Sequence, residues 1–413
     1  MTPTTRPGAP ADPMIAQLVG LARAGINRRR LLGLGGLGAA SLALAACSPP
    51  APPAGAGEAV VYPKDISATD KTLRFANWTA YLDYDETTKT YPTLDAFMKA
   101  SGITVAYSED IDDNDTYFNK VAPQLRAGQS IDRDIVVFTD WMANRVIQQR
   151  LSQPLDLIQM PHATNLLPAL KEVTFDPGRR WSLPWQGGFA GLCYHRGKVG
   201  RDLKTIDDLW ADDLKGKVVV LSEYRDPVGM LMQTKGIDIS GPFTKDQVQA
   251  AMDEISAKVA SNNIRRIKGN SYIEDLKSGN AIAGIVWSGD IFTLRAETQD
   301  DQWQFVLPES GGTIWTDNMM IPITSNHQRN AMALMDYYYE PEVAAEVAAY
   351  INYVSPVVGA QAAMEKIDAE LAKNDFIFPS EKFLTDHKVQ SFRALTPTED
   401  AEYSAMWERV VGN

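Results

Sequence analysis

The stretch Gly311-Gly312-Thr313-Ile314-Trp315-Thr316-Asp317 follows a strand-like run at residues 303–307 and a turn. If residues 313–317 are extended, side chains two positions apart point to the same face. Trp315 and Asp317 then present an indole ring and a carboxylate together. This pair suits an organic cation, because the carboxylate takes the positive charge and the ring adds cation–π energy and contact with methylenes. The competing interpretation is a core tryptophan beside a surface aspartate.

Composition favours a soluble globular protein with an acidic surface. The chain has 413 residues, of which 22% are charged and 45% hydrophobic, a length sufficient for two domains of ordinary size. The formal net charge is −12, and residues 1–46 contribute five arginines and one aspartate, so the remainder is still more acidic. Such a surface argues against nucleic acid as a partner. It is compatible with a cationic ligand but does not identify one.

Cysteine and histidine usage predicts no disulfide, no metal site and no cofactor. The two cysteines, Cys47 and Cys193, have separate explanations, and Cys193 is expected in a buried strand as a small hydrophobic residue. The four histidines are far apart in the sequence, and none forms a pair with metal-ligand spacing. A Cys/His nucleophile is therefore not predicted either.

The N-terminus is typical of an export signal. Three consecutive arginines at 28–30 precede a weakly apolar, glycine-rich run at 31–46, and the sequence Leu-Ala-Ala-Cys follows at 44–47. The arginines resemble a twin-arginine signal, with Sec export as the alternative. The ending resembles a bacterial lipobox, which implies that Cys47 becomes the lipidated first residue of the mature protein. A transmembrane anchor is the other interpretation, but the run is shorter than the roughly 20 residues a span needs.

The remainder is predicted to be a tethered body outside the cytoplasm. Residues 1–47 are the export signal, and residues 48–68, rich in Pro, Ala and Gly at their start, are a flexible tether. The globular body is expected to start near Thr69. We therefore predict a protein held by lipid at the extracytoplasmic face of the membrane or in the periplasm.

Within the body, strands and helices alternate, which predicts a parallel α/β arrangement. Thr205 and Asp208 have the spacing of a capping box and predict a helix that ends near residue 214. The extended run at 181–194 includes Gly187-Gly188, interpreted as a flexible point. The first set of strands is expected at 72–76, 103–107 and 134–138, and the second at 218–221 and 281–287.

Aromatic and acidic residues recur just past the carboxyl ends of these strands, the edge where open α/β sheets bind ligands. Each has a structural alternative. Trp78 and Trp287 could be core residues, Asp226 could cap the helix that Pro227 begins, and Glu223 could be a solvated acid or a partner of a neighbouring arginine. The residues are Trp78, Tyr81, Trp141, Glu223, Asp226, Trp287, Trp315, Asp317 and Tyr353.

From about residue 73 onward, the sequence resembles the spermidine/putrescine-binding proteins of bacterial ABC importers. The last of the supporting motifs is the most specific. They are Asn77-Trp78-Thr79-x-Tyr81, Asp134-Ile135-Val136-Val137, Ile285-Val286-Trp287-Ser288-Gly289, and Gly311-Gly312-x-Ile314-Trp315-x-Asp317 followed by Ile321-Pro322.

The resemblance implies an α/β, two-lobed type II periplasmic-binding-protein fold, with a mostly parallel sheet in each lobe and a ligand cleft between the lobes. One lobe would comprise residues 69–187 plus 318–361, and the other 188–317 plus 362–413. The protein would be a monomer and no enzyme, capturing spermidine or putrescine and passing it to an ABC permease.

By the same resemblance, six aromatic residues would surround the polyamine chain, Thr139 would contribute a hydroxyl, and Glu223, Asp226 and Asp317 would hold the ammonium groups. Two departures leave the choice of polyamine open: the acids at 223 and 226 are in reversed order, and a Trp at 141 replaces a Tyr. A C-terminal contact aligns only loosely, with Arg393 or Gln390, and an arginine there would repel a long polyamine's far end. The aromatic residues are Trp78, Tyr81, Trp141, Trp287, Trp315 and Tyr353.

Two alternatives remain from the sequence. The same fold could bind another small solute, such as a different organic cation, an opine or an iron chelate. A cleft hydrolase could use Glu223 and Asp226, with Asp317 opposite, as general acid and base.

Overall fold

The computed structural model describes residues 60–412. The predicted export signal, its twin-arginine and lipobox motifs, and the predicted lipidation site at Cys47 therefore lie outside the described residues, as does most of the predicted tether.

The end of the predicted tether contacts the body. The Ile66 N–H donates to the Asn326 carbonyl oxygen at 2.8 Å, and the Ser67 hydroxyl accepts from the Asn330 N–H at 3.2 Å. Ser67 is 2% exposed. The packed body thus begins at Ile66 rather than near Thr69, because these polar groups find partners on a neighbouring segment.

Eleven strands occur in the described part of the chain. They are β1 (Thr72–Trp78), β2 (Thr104–Ile111), β3 (Ile135–Thr139), β4 (Glu172–Val173), β5 (Asp176–Pro177), β6 (Leu183–His195), β7 (Val218–Leu221), β8 (Ile264–Lys268), β9 (Ala283–Trp287), β10 (Trp303–Val306) and β11 (Thr313–Met320). Nine of them form one sheet in the order β2-β1-β3-β11-β6-β9-β7-β8, with β10 paired to β6, while β4 and β5 form a hairpin.

Helices pack around this sheet. They are α1 (Pro92–Ser101), α2 (Asn114–Arg126), α3 (Asp140–Gln148), α4 (Pro168–Lys171), α5 (Arg196–Val199), α6 (Arg225–Thr234), α7 (Lys245–Ala260), α8 (Tyr272–Lys277), α9 (Ser288–Thr298), α10 (Gln328–Tyr337), α11 (Pro341–Ile351), α12 (Ala360–Ile367), α13 (Glu381–Asp386) and α14 (Pro397–Val411). Short 3₁₀ helices lie at Leu157–Gln159, Pro161–Asn165, Ile206–Trp210, Asp212–Leu214 and Leu371–Lys373. In residues 60–412, no helix has both the length and the apolar character to cross a membrane.

Local sequence signals explain several of these elements. Helix α1 ends at Gly102, which has a left-handed φ of 70° that costs glycine little. Helix α7 begins after a complete capping box at Thr244 and Gln247. The prediction of a helix from Thr205 to residue 214 was wrong: its capping box is present, but it opens two 3₁₀ turns.

The sheet has parallel outer parts and an antiparallel centre. Strands β2, β1 and β3 are parallel, and so are β8, β7 and β9. Strand β11 runs antiparallel to both of its neighbours, pairing with β6 over residues 313–319 and with β3 over 317–320. It therefore connects the two parallel parts. The predicted lobe boundaries at 187/188 and 317/318 fall within β6 and β11, and the division itself stays a prediction.

Gly187 and Gly188 lie in the middle of β6, and every residue of that strand is buried. A Cβ at Gly187 would lie 2.8 Å from the Trp315 carbonyl oxygen, and one at Gly188 would lie 2.6 Å from the Trp315 ring. The structure gives these glycines a packing role, and the interpretation as a flexible point stays a prediction. They permit the close approach of β11 and its side chains.

Candidate ligand-binding site

A cavity of about 700 Å³ opens where the two parallel parts of the sheet meet β11. All ten residues predicted to bind ligand lie in its wall. These are Trp78, Tyr81, Thr139, Trp141, Glu223, Asp226, Trp287, Trp315, Asp317 and Tyr353.

The strand ends place most of these residues, as expected. Trp78, Thr139 and Trp287 are the last residues of β1, β3 and β9. The expectation was wrong for Trp315 and Asp317, which lie inside β11 because this strand continues to Met320. A register irregularity between residues 316 and 318, relative to β6, accompanies their approach to the cavity.

Asp317 is a buried carboxylate in the cavity wall. It is 3% exposed and accepts a hydrogen bond from the Thr139 hydroxyl at 2.6 Å. Burial raises the pKa of Asp317 to about 7, against the opposing effect of the Thr139 hydrogen bond. In the empty cavity this group therefore titrates near neutral pH.

Asp226 is the second buried acid. Its two oxygens accept hydrogen bonds from the Trp287 indole N–H at 3.0 Å and from the Thr313 hydroxyl. Burial raises the pKa of Asp226 to about 6. The N-cap alternative for Asp226 was wrong, because α6 begins at Arg225 and Asp226 lies in its first turn.

Asp290 is a third cavity acid, and the sequence analysis missed it. It accepts hydrogen bonds from the hydroxyls of Tyr272 at 2.6 Å and Tyr353 at 2.8 Å, and from the Asn270 amide at 3.1 Å. Burial raises its pKa to about 6. Its position three residues after Trp287 at a strand end was the available signal. We call Asp226, Asp290 and Asp317 the carboxylate floor.

Aromatic rings surround this floor edge to face. The Trp287 ring centroid lies 5.9 Å from that of Trp78 and 6.1 Å from that of Trp315. The Tyr353 ring lies 5.1 Å from Tyr81 and 5.5 Å from Trp315. Trp78 and Trp287 are nearly buried, as the core alternative expected, and they also line the cavity. Their contact with a ligand stays a prediction.

The rest of the cavity wall contains Arg145, Arg225 and Arg393, which we call the arginine end. The Arg225 guanidinium lies 3.8 Å from the Trp141 ring centroid, and the Arg145 guanidinium lies 4.8 Å from it. Trp141 thus lines the cavity but packs against arginines. One acid is shared by two of these arginines: Asp400 lies 2.6 Å from Arg225 and 2.8 Å from Arg145. Arg145 also pairs with Asp115.

Glu223 lies between the two regions. It is 7% exposed, so the alternative of a solvated loop acid was wrong. Its Oε2 accepts from the Asn114 amide at 2.7 Å, and its Oε1 lies 3.9 Å from Arg225 Nη1. Burial raises the pKa of Glu223 well above its usual range, in spite of the neighbouring arginine.

The structure separates the two loosely aligned C-terminal residues. Arg393 lines the cavity, pairs with Glu399 at 2.6 Å and lies 4.0 Å from the Phe243 ring centroid. Gln390 does not belong to this wall, and its side-chain oxygen accepts from the Ile239 N–H. Arg393 is therefore the cavity residue of the pair.

In residues 60–412, no group of His, Cys, Asp and Glu side chains has an arrangement that could hold a metal ion. Cys193 is fully buried in β6, and burial raises the pKa of its thiol. This agrees with the interpretation of Cys193 as a small hydrophobic core residue.

Comparison with known proteins gives matches over most of the chain. The family model for bacterial extracellular solute-binding proteins matches residues 93–375. The spermidine/putrescine-binding periplasmic protein of Escherichia coli K12 is 26% identical over 325 residues, covering 78% of this chain and 87% of that protein. The putrescine-binding periplasmic protein PotF of the same organism is 25% identical over 362 residues, covering 84% and 92%.

A solved structure shares the fold. The putative spermidine/putrescine ABC transporter protein from Listeria monocytogenes superposes with a TM-score of 0.70 at 23% identity, covering 83% of this chain and 99% of that one. The predicted α/β type II periplasmic-binding-protein fold is thereby confirmed.

Proposed function

This chain belongs to the bacterial extracellular solute-binding protein family, and we propose that it captures a polyamine, spermidine or putrescine, and delivers it to an ABC permease. Proteins of this family serve transport. The polyamine assignment is supported by the functions of the two Escherichia coli relatives and by the chemistry of the cavity. In this proposal the ligand is bound and released without chemical change.

The observation that carries the proposal is the carboxylate floor beneath five aromatic rings. Asp226 and Asp317 are buried acids that no described lysine or arginine pairs with, so a ligand has to supply the positive charge. An ammonium group does so through charge-assisted hydrogen bonds worth roughly 1.5–3 kcal/mol each. The rings bury methylenes at about 0.8 kcal/mol each and add cation–π contacts of about 0.5–2 kcal/mol.

Hydrogen bonds across the cavity support capture by closure. Asn114, on one side, donates to Glu223 on the other at 2.7 Å, and the Asp112 carbonyl oxygen accepts from the Asn270 N–H at 3.1 Å. A Cβ at Gly269 would lie 1.8 Å from that same carbonyl oxygen, so the contact requires glycine. In our proposal these contacts form as the two predicted lobes close over the ligand.

We further propose that the protein acts as a monomer at the extracytoplasmic face of the membrane. The sequence features behind this proposal are the arginines at 28–30, the weakly apolar run after them and the lipobox ending at Cys47. They favour twin-arginine export and lipid attachment to Cys47. Mass spectrometry of the protein from a cell envelope would reveal the lipid as added mass on an N-terminal Cys47 peptide.

The hydrolase alternative is less well supported. Asp226 already accepts two hydrogen bonds, and Glu223 accepts one from Asn114 and faces Arg225. A carboxyl that is engaged in this way is less free to exchange a proton with a substrate. Incubation with candidate glycosides and a search for released product would test it.

A thermal-shift panel with putrescine, spermidine, spermine and unrelated solutes tests the main proposal. At 100-fold excess over its Kd, a bound ligand adds about 2.7 kcal/mol to stability. Stabilisation by at least one polyamine, and by none of the sugars or acidic amino acids, is the expected result. If no polyamine stabilises the protein while another organic cation does, the same site binds a different cation and the polyamine assignment is wrong.

A further inference from the structure

The cavity is larger than a free polyamine requires. Spermidine has ten non-hydrogen atoms and occupies roughly 300 Å³ if each takes the volume of one liquid water. The cavity measures about 700 Å³. Space for a further substituent therefore remains, and it lies at the arginine end.

Buried donors without partners line both ends of the cavity, but at the arginine end they are the only kind of unpartnered side-chain group in residues 60–412. Arg225 is 6% exposed, and its Nη1 has no hydrogen-bond partner in residues 60–412. The same is true of the Trp141 indole N–H and of Arg393 Nε. At the carboxylate floor, the unpartnered groups are of both kinds and include the acceptor oxygen of Asn270. These three donors at the arginine end thus have no acceptor. An ammonium group only donates hydrogen bonds, so it cannot supply one.

The wall of the arginine end is also apolar. Phe243 is 8% exposed, and its ring lies 5.2 Å from that of Phe392. Phe175 and Leu395 are half-buried residues of the same cavity wall. Such a surface suits an aliphatic or aromatic group.

We propose that the ligand is an amine acylated at its far nitrogen, with its free ammonium at the carboxylate floor and its acyl group at the arginine end. This inference rests on the proposed function, since it specifies the polyamine derivative. Acylation removes the far positive charge, which at this end would meet only carboxylates that are already paired with arginines. The acyl carbonyl oxygen supplies an acceptor for Arg225 or Trp141, and the apolar body of the acyl group packs against Phe243 and Phe392.

The test is calorimetry of the protein with four compounds that share a primary ammonium group. Putrescine, N-acetylputrescine and N-benzoylputrescine have the same four methylenes and differ only at the far nitrogen, whereas 4-aminobutyrate has three methylenes and ends in a carboxylate. We expect N-benzoylputrescine to bind at least about tenfold more tightly than putrescine, with N-acetylputrescine in between.

A matched variant locates the substituent. In Phe243→Ala we expect the ratio of N-benzoylputrescine affinity to putrescine affinity to fall from at least about tenfold to within about twofold. Putrescine binding as tightly as both acyl compounds would overturn the inference and leave the proposed function intact. Tightest binding of 4-aminobutyrate would also overturn it, in favour of a carboxylate ligand. If neither these amines nor spermidine bound, the proposed function itself would fail.

Discussion

The two ends of the cavity treat charge in opposite ways. At the carboxylate floor, Asp226 and Asp317 lie buried among aromatic rings, and their partners are neutral donors. At the arginine end, each guanidinium already faces a carboxylate, as Arg225 does with Asp400 and Arg393 with Glu399. The acids of the carboxylate floor therefore lack a positively charged partner, whereas the charges of the arginine end are already paired with one another. This difference teaches that the floor should supply affinity for a cation and that the arginine end should govern the choice among cations.

Asp317→Asn should remove one charge from the carboxylate floor and cause the largest loss of polyamine affinity. The amide keeps the size and the Thr139 contact but removes the charge that an ammonium group needs. We expect the affinity for the best polyamine to fall by roughly 10- to 150-fold, the equivalent of one charge-assisted hydrogen bond. Calorimetry measures it, and the loss of Asp317 should also reduce ligand-induced closure, measured by small-angle scattering.

The matched control is Asp336→Asn, which alters another buried carboxylate outside the cavity. Asp336 is 8% exposed and accepts from the backbone N–H groups of His162 and Ala163. This variant should lose stability but keep polyamine affinity. Asp317→Asn should retain the melting temperature of the empty protein, because it removes an unpaired buried acid. Unchanged affinity of Asp317→Asn for every polyamine would refute the role of the floor.

Much of the fold was predictable because its signals are local. The left-handed Gly102 that ends α1 and the capping box at Thr244 each act within a few residues. The same kind of signal failed at Thr205, since a capping box fixes where a turn begins and does not decide between α and 3₁₀ geometry. The packing role of Gly188 was not predictable locally, because its reason lies in a different strand, where the Trp315 ring occupies the space of a Cβ.

The site was predictable as a set of residues and not as a set of contacts. The strand-end pattern and the family resemblance predicted that Trp287 and Asp317 lie in one cavity, and both line it. The pairing of Arg225 with Asp400 joins residues 175 positions apart, and nothing local in the sequence indicates it. Trp141 was accordingly expected among the other rings, whereas the structure places the Arg225 guanidinium against it.

After Asp317→Asn, we expect the second-largest loss of polyamine affinity at the carboxylate floor when the pH is lowered. In the empty protein the pKa of Asp317 is raised to about 7, and a bound cation favours its ionised form. Protons then compete with the ligand, and the affinity should fall about tenfold between pH 8 and pH 6. Calorimetry in buffers of different ionisation enthalpy should also detect proton release on binding at pH 6.5.

The stability of the protein without ligand should fall as the pH rises, which is opposite to the change in affinity. Asp226 and Asp317 have pKa values above the ordinary value of 3.8, so between about pH 4 and pH 7 the folded protein binds more protons than the unfolded chain. Their contribution to stability is present at low pH and is lost as the pH rises through 6 to 7. In Asp317→Asn this pH dependence should be smaller. An affinity independent of pH from 6 to 8 would show that Asp317 is ionised before the ligand arrives.

Gly289→Ala should produce a smaller loss of polyamine affinity, because it displaces the Tyr353 ring. A Cβ at Gly289 would lie 2.3 Å from the Tyr353 ring and 2.7 Å from the Ile351 carbonyl oxygen, so the ring has to shift. We expect affinity to fall about three- to tenfold, the value of one aromatic contact with a cation. Gly197→Ala is the control, because its nearest neighbour would be 3.4 Å away on His195. Equal affinity of both variants would mean that Tyr353 does not contact the ligand.

Arg393→Gln should have the smallest effect on free diamines and so sharpens the contrast between the two ends. Arg393 is partly exposed and already paired with Glu399, and such pairs contribute about 0–1 kcal/mol. If a diamine binds only at the floor, its affinity for this variant should stay within about twofold of the original. A several-fold gain would show instead that the far ammonium reaches Arg393 and is repelled by it. A several-fold loss would show that Glu399, held in place by Arg393, contributes to binding, and the arginine end would then be a second cation site.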